Sequence, residues 1–274
     1  MLPTQSFISA SGPVFIKELE VSVTEVCSLQ CAHCGFFVPQ QPKPALLHAV
    51  VELQEGLGTL DRLGIQVGSL ALVGGEATLS PQALAGALRV ARKADNVARV
   101  ELVTNGLTPK GLLRDALSDI DRLSLSDYTG DGALADAWRT FLSRRAPQVK
   151  FVVRRHGQWD QVSASVDLGK AGGQSAYETC WYRRHCVTLE RRRLFVCSRI
   201  PKLGLDDQGL LLDDTTTAAA IHGYLNAAHA PAACRTCAQV AGLPQVAPGV
   251  QPDDRIARLR GRALNWFDRN LEDA

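Results

Sequence analysis

The strongest constraint on the fold is an alternation of strand-like and helix-like segments over roughly the first 160 residues. Leu19, Val21 and Val23 alternate with polar residues, which predicts a strand. The apolar residues from Leu46 to Leu60 recur at helical spacing, which predicts a helix. The pattern continues with strands near 68–73, 97–104, 123–126 and 149–154 and with helices near 80–94, 109–118 and 131–145. Such alternation predicts an α/β protein with a parallel sheet or barrel.

Composition narrows the class of protein further. Of the 274 residues, 46% are hydrophobic and 21% are charged, which is typical of globular proteins. A net charge of +2 lacks the excess of basic residues that nucleic-acid binding usually requires. The sequence has no apolar run long enough to cross a bilayer and no secretion signal near Met1. We therefore expect a cytoplasmic protein that binds neither nucleic acid nor membrane.

The alternation stops near residue 160, and a different kind of segment follows. Val187 to Leu189 and Leu194 to Val196 flank a charged turn, as in a β-hairpin. Apolar residues from Ile256 to Leu271 lie on one face of a terminal helix. The predicted organisation is a barrel domain over 15–165, a small α+β cysteine-bearing module over 175–240 and a helix over 252–272.

Eight cysteines in a reducing compartment favour metal binding over disulfides, and three of them form a tight group. The segment Cys27-Ser-Leu-Gln-Cys31-Ala-His-Cys34 places three thiols on one loop after the first strand. Such soft ligands suit zinc or an iron-sulfur cluster. A closed zinc site needs four ligands, and His33 is poorly placed between its neighbours to supply the fourth. Three thiols on a four-iron cluster would leave one iron open to an external ligand.

The spacing C-x3-C-x2-C after the first strand resembles the signature of the radical S-adenosylmethionine (SAM) superfamily. The segment Val73-Gly74-Gly75-Glu76 resembles that family's Gly-Gly-Glu motif, although Ala77 stands where the family usually has proline. The resemblance implies a partial (β/α)6 barrel, a 4Fe-4S cluster on Cys27, Cys31 and Cys34, and bound SAM. The residues that it implies as contacts of SAM follow three strands: Gly74, Gly75, Glu76, Thr104, Asn105, Ser124 and Ser126.

The remaining five cysteines lie in the last hundred residues or so. Cys180, Cys197, Cys234 and Cys237 resemble the ligands of the twitch variant of the SPASM auxiliary domain, which implies a second 4Fe-4S cluster. Cys186 is then left over, although its assignment and that of Cys180 could be exchanged. Zinc in the same four ligands is the alternative.

The resemblance implies that SAM is cleaved to a 5'-deoxyadenosyl radical, which removes hydrogen from a substrate. An auxiliary cluster suggests oxidation of a small alcohol, such as an aminocyclitol or a sugar. Cys186, Arg154 and Arg155 are the candidate catalytic residues, and His156 is another candidate base. The alternatives are an epimerase with Cys186 as hydrogen donor, a maturase of a ribosomal peptide, and a zinc-stabilised interaction protein. The expected partners are a small-molecule or peptide substrate and an electron donor of the flavodoxin or ferredoxin type.

Overall fold

A computed structural model describes residues 14–40 and 49–271. The prolines at 42 and 44, together with Leu46, lie outside the described residues, and the first helix is described from Ala49. The strands are β1 (Phe15–Ile16), β2 (Leu19–Ser22), β3 (Gln66–Val67), β4 (Leu70–Val73), β5 (Val100–Thr104), β6 (Arg122–Ser126), β7 (Lys150–Arg154), β8 (Val187–Glu190), β9 (Arg193–Phe195) and β10 (Leu210–Leu211). The helices are α1 (Ala49–Arg62), α2 (Pro81–Lys93), α3 (Ala133–Arg145), α4 (Gly169–Thr179), α5 (Trp181–His185), α6 (Arg199–Lys202), α7 (Ala218–Leu225) and α8 (Arg255–Leu271).

The α/β prediction is confirmed by a mainly parallel sheet. Its strand order is β10-β9-β8-β2-β4-β5-β6-β7, and all pairs from β8 to β7 are parallel. A parallel connection needs a crossover, which α1, α2 and α3 supply. Between β5 and β6 the predicted helix is instead two 3-10 helices, Pro109–Gly111 and Arg114–Asp119. These parallel pairings bring the carboxyl ends of six strands to one edge of the sheet.

The predicted hairpin forms from β8 and β9, and its first strand joins the main sheet. β8 pairs in parallel with β2, with Leu19 opposite Val187. The sixth parallel strand therefore lies beside β2 rather than after β7, and the described sheet has β10 and β7 as its outer strands. The sheet is continuous across the predicted boundary near residue 175, and the partial-barrel and three-domain descriptions stay predictions.

The terminal helix α8 packs on α3 through aromatic side chains. Trp138 and Phe141 of α3 contact Phe267 of α8, with ring centroids 5.1 and 5.7 Å apart. Trp138 and Phe267 are fully buried. The indole nitrogen of Trp138 also donates a hydrogen bond to the carbonyl of Gly106, 3.0 Å away. The helical layer thereby holds the turn that follows β5.

The segment that bears the later cysteines is organised around a buried arginine. Arg199 is 4% exposed, and its guanidinium donates to four main-chain carbonyls. These carbonyls belong to Val162, Ala164, Ala233 and Thr236. Because a planar guanidinium offers five donors in a rigid arrangement, one side chain links the loop at 162–164 to the 3-10 helix Ala232–Thr236. No helix of the described residues is both long and apolar enough to span a membrane.

Candidate active site

A cavity of about 400 Å³ opens where the parallel strands end. Its walls come from the first cysteine loop and from the ends of β4, β5, β6 and β7. The predicted site residues that line it are Cys27, Cys31, Cys34, Gly74, Gly75, Glu76, Thr104, Asn105, Ser126 and Arg154. Side chains from distant parts of the sequence meet here because parallel strands end at the same edge. Its volume is within the range of small-molecule sites.

The first cysteine loop is held to the sheet by main-chain hydrogen bonds. The amides of Gly75 and Glu76 donate to the carbonyls of Thr24 and Val26, over 2.9 and 2.8 Å. Burial raises the pKa of the Cys27 thiol to about 12. The Cys27 thiol is therefore protonated at neutral pH until a metal displaces the proton.

The two glycines of the Gly-Gly-Glu segment are required by this close contact. A Cβ atom on Gly74 would lie 2.4 Å from the carbonyl oxygen of Thr24, and one on Gly75 would lie 2.3 Å from that of Val26. Gly74 also has a φ of 150°. The absence of side chains at these two positions therefore clears room for the segment that leads into the cysteine loop.

Glu76 connects the ends of β4 and β5 from a buried position. Its carboxylate accepts hydrogen bonds from the hydroxyls of Thr78 and Thr104, both at 2.7 Å, and from the amide of Asn105, also at 2.7 Å. Burial raises the pKa of Glu76, and these donors oppose the rise. Glu76 has 2% of its surface exposed, and its hydrogen bonds stabilise the contact between the ends of the two strands.

Asn105 links β5 to the cysteine loop, whereas Ser124 points elsewhere. The Asn105 side-chain amide donates to the Ser28 hydroxyl over 3.1 Å. Ser126 lines the cavity as predicted. Ser124 is fully buried, and its hydroxyl donates to Glu101 over 2.6 Å. The structure therefore brings Ser126 to the cavity and leaves Ser124 outside its lining.

The two candidate catalytic arginines are engaged in ion pairs. Arg154 donates to Glu101, at 2.9 Å. Arg155 pairs with Asp127 at 3.1 Å, remains 57% exposed and is not among the cavity-lining residues. A guanidinium is always protonated near neutral pH, and these two are already paired. Neither is well suited to accept a proton.

A second cavity of about 130 Å³ holds the later cysteines. Cys180, Cys197, Cys234 and Cys237 all line it, and Cys186 does not. Burial raises the pKa of both Cys197 and Cys234 to about 12. The grouping matches the set chosen from the sequence, with Cys180 rather than Cys186 facing the other three.

The spacing of the sulfur atoms distinguishes a single ion from a cluster. Thiolates around one zinc ion lie about 3.8 Å apart, because each zinc-sulfur bond is about 2.3 Å long. Among the described residues, the single trio of ligand atoms that converge within 4.8 Å is Glu18, Glu20 and Cys186. Neither the early nor the late cysteines form such a trio, and His33 joins none. Their sulfur atoms therefore do not converge on one point as the ligands of a single zinc ion do.

The carboxylates of Glu18 and Glu20 are cavity residues that the sequence analysis missed. Glu20 of β2 and Glu18 just before it line the larger cavity, while Leu19 and Val21 are buried in the core. The alternation of apolar and polar residues along β2 could have indicated them. When the apolar side chains of a strand face the core, its polar side chains all lie on the opposite face of the sheet. Glu20 also lines the smaller cavity. It is the carboxylate at the junction of the two.

Gln251 is a second residue that the sequence did not indicate. Its side-chain amide donates to the sulfur of Cys31 over 3.0 Å, and its carbonyl oxygen accepts from the amide of Gln30 over 2.7 Å. The neighbouring carbonyl of Val250 accepts from the amide of Ala32. These contacts join the cysteine loop to a segment more than two hundred residues away, which no local pattern reveals.

Replacing Gln251 with alanine is expected to loosen metal held by the first cysteine loop. Hydrogen-bond partners of metal ligands typically contribute about 10-fold to 100-fold in metal affinity. We therefore expect about tenfold faster loss of iron to a chelator, measured anaerobically on reconstituted protein. Gln245, which also lines the cavity, provides the control variant Gln245→Ala. Equal rates for both variants and for the unmodified protein would contradict the assigned role.

Comparison with known proteins gives a sequence match to a curated enzyme over part of the chain. The chain is 34% identical over 96 residues to the GTP 3',8-cyclase of Peptoclostridium acidaminophilum. This match covers 34% of the chain and 28% of that enzyme, well under two thirds of its length.

Solved structures of BtrN are also similar to the chain. The complex of BtrN with AdoMet and 2-DOIA is 11% identical, with a TM-score of 0.46 over 92% of this chain and 88% of that one. An open conformation of BtrN is 14% identical, with a TM-score of 0.39 over 90% and 85% of the two chains. No family model matches the sequence.

Proposed function

We propose that the chain is a radical SAM oxidoreductase that oxidises a small alcohol. The observation that carries the proposal is the loop of Cys27, Cys31 and Cys34, whose three thiols line one cavity without converging as they would on a single ion. Three soft ligands suit a four-iron cluster with one iron left for an exogenous ligand. The donor set therefore fits the cluster that the superfamily implies.

The bound cofactors would supply a 5'-deoxyadenosyl radical by one-electron reduction of SAM, with the electron delivered by a flavodoxin or ferredoxin. The chain's own residues hold the cysteine loop in place against the ends of the strands. Gly74, Gly75 and Glu76 keep the end of β4 against the cysteine loop, and Asn105 ties the loop to β5. Thr104, Ser124 and Ser126 stay proposed contacts of SAM, of which Ser124 has the weakest support because it lies outside the cavity lining.

A second four-iron cluster on Cys180, Cys197, Cys234 and Cys237 would accept the electron left on the substrate. The two cavities share part of their lining, so a substrate between them would be near both sets of cysteines. The shared residues are Glu20, Gly35, Phe36, Val162 and Tyr182. This adjacency favours net oxidation. Cys186 lines neither cavity, which is unfavourable for an epimerase that returns hydrogen from this thiol.

Metal and cofactor assays test the superfamily part of the proposal. Protein reconstituted anaerobically is expected to bind about eight irons per chain, to be brown, and to release methionine and 5'-deoxyadenosine from SAM with dithionite. Colourless protein containing zinc, or iron-loaded protein that leaves SAM intact, would overturn it.

Loss of the second cluster should separate cleavage of SAM from oxidation. We expect Cys197→Ala to retain about four irons per chain and to keep dithionite-driven cleavage of SAM. Ketone formation from a panel of aminocyclitols and sugars, including 2-DOIA, should be lost. The panel follows the proposed substrate class. An unchanged iron content in Cys197→Ala would contradict this cysteine's role as a ligand.

A further inference from the structure

Glu20 lies where the two cavities meet, and its surroundings are those of a proton acceptor. It shares the lining of both cavities with Tyr182. The thiol of Cys186 faces the carboxylate of Glu20, where it can donate to a carboxylate oxygen. Ligand atoms of Glu18, Glu20 and Cys186 lie within 4.8 Å of one another. Glu20 is thus oriented from one side and open to the cavity on the other.

Four other titratable groups at or near the cavity are less suited to accept a proton. Arg154 and Arg155 are cations already engaged with Glu101 and Asp127. His156 lines the cavity, and burial lowers its pKa, which makes its imidazole a weak base. Glu18 lines the larger cavity but not the smaller one.

We propose that Glu20 is the catalytic base of the oxidation, positioned by Cys186, and that it takes the proton of the substrate hydroxyl. This inference rests on the proposed function. The hydrogen atom on the hydroxyl-bearing carbon ends in the methyl group of 5'-deoxyadenosine. The O–H bond breaks, its electron pair stays on oxygen, and its proton goes to Glu20. One electron passes to the oxidised second cluster as the C–O bond becomes a carbonyl, so the alcohol loses two electrons and two protons in total.

The electrostatics of the site agree with this role. Burial, followed by the charge of Glu18 just before β2, raises the pKa of Glu20 to about 7. The charged or titratable groups that face it from other elements are Arg154 of β7, Glu190 of β8, Cys186 just before β8 and Tyr182 of α5. Only Arg154 favours the ionised form by its charge. A base with a pKa near the working pH balances availability against proton affinity.

The raised pKa makes a prediction that needs no substrate. The pKa of Glu20 is higher in the folded state than in the unfolded state, so its protonated form contributes to stability. This contribution is fully present below about pH 4.5 and is lost as the pH rises through about 7. Glu20→Gln removes this loss and keeps an oxygen that accepts from Cys186. We expect its Tm, measured on the reconstituted protein, to exceed that of the unmodified protein by about 5 °C at pH 8 and to match it near pH 5.

The catalytic test uses the same holoenzyme with the aminocyclitol and sugar panel. Glu20→Gln should lower the ratio of ketone to 5'-deoxyadenosine by about 100-fold or more. The pH profile of ketone formation should lose the rise near pH 7 that the unmodified protein shows. The matched control is Glu55→Gln in α1, which loses only an exposed ion pair with Arg192 and should leave the ratio unchanged and shift the Tm equally at pH 5 and pH 8.

The outcomes separate this inference from the function on which it rests. Unmodified protein that fails to cleave SAM overturns the proposed function. Unmodified protein that cleaves SAM, together with Glu20→Gln that keeps its ketone ratio and pH rise, overturns the role of Glu20 alone. A Tm difference that does not change between pH 5 and pH 8 also overturns it, whether or not any member of the panel is oxidised.

Discussion

Replacing Cys31 with alanine is expected to halve the iron content and to abolish cleavage of SAM. The proposed first cluster has three protein ligands, and two thiolates hold a four-iron cluster too weakly to survive desalting. Cys31 is also the cysteine that accepts the hydrogen bond of Gln251. Iron per chain should fall from about eight to about four, and 5'-deoxyadenosine should be undetectable by chromatography.

The matched control for Cys31→Ala is Cys186→Ala. Cys186 is buried but lines neither cavity, so its removal should leave the iron content near eight per chain. If Cys186→Ala lost about four irons while Cys180→Ala lost none, the assignment of these two cysteines would have to be exchanged. Full iron content in Cys31→Ala would exclude the proposed first cluster.

Replacing Lys202 with methionine is expected to cause the largest loss of stability. The Lys202 ammonium, 1% exposed, contacts the carboxylates of Glu190 and Glu25, the latter at 3.6 Å. Methionine matches its length but leaves two buried carboxylates without this cation. Breaking a buried ion pair costs about 3–5 kcal/mol, so the free energy of unfolding should fall by about this amount in urea titrations.

The control for Lys202→Met is Arg192→Met, which removes a cation from an exposed pair. Arg192 and Glu55 are 45% and 48% exposed and their charged atoms are 2.9 Å apart. Such pairs contribute about 1 kcal/mol or less. Glu25 precedes the first cysteine loop, and Lys202 lies in α6 after Cys197. A loss of only about 1 kcal/mol in Lys202→Met would mean that this buried network does not hold the two cysteine regions together.

Local patterns in the sequence predicted much of the fold and the candidate metal ligands. Alternation and helical spacing predicted β4, α2, β6 and α3 to within a few residues. Each of these elements buries one face, and the spacing of its apolar residues follows that face. The segment after β5 was predicted as a helix but forms 3-10 turns. Pro109 and Gly111 tolerate either conformation, and contacts with neighbouring residues select between them.

The sequence by itself determined the strand and helix order and the two groups of cysteines, since both depend on residues close together in the chain. Only the tertiary structure placed β8 beside β2 and Gln251 within hydrogen-bonding distance of Cys31. It also showed that Glu20 lines both cavities, whereas Arg154 lines only the larger one. Those contacts join residues far apart in sequence. Their energies depend on burial and on which partners the fold brings within hydrogen-bonding distance, and no periodicity along the chain encodes either.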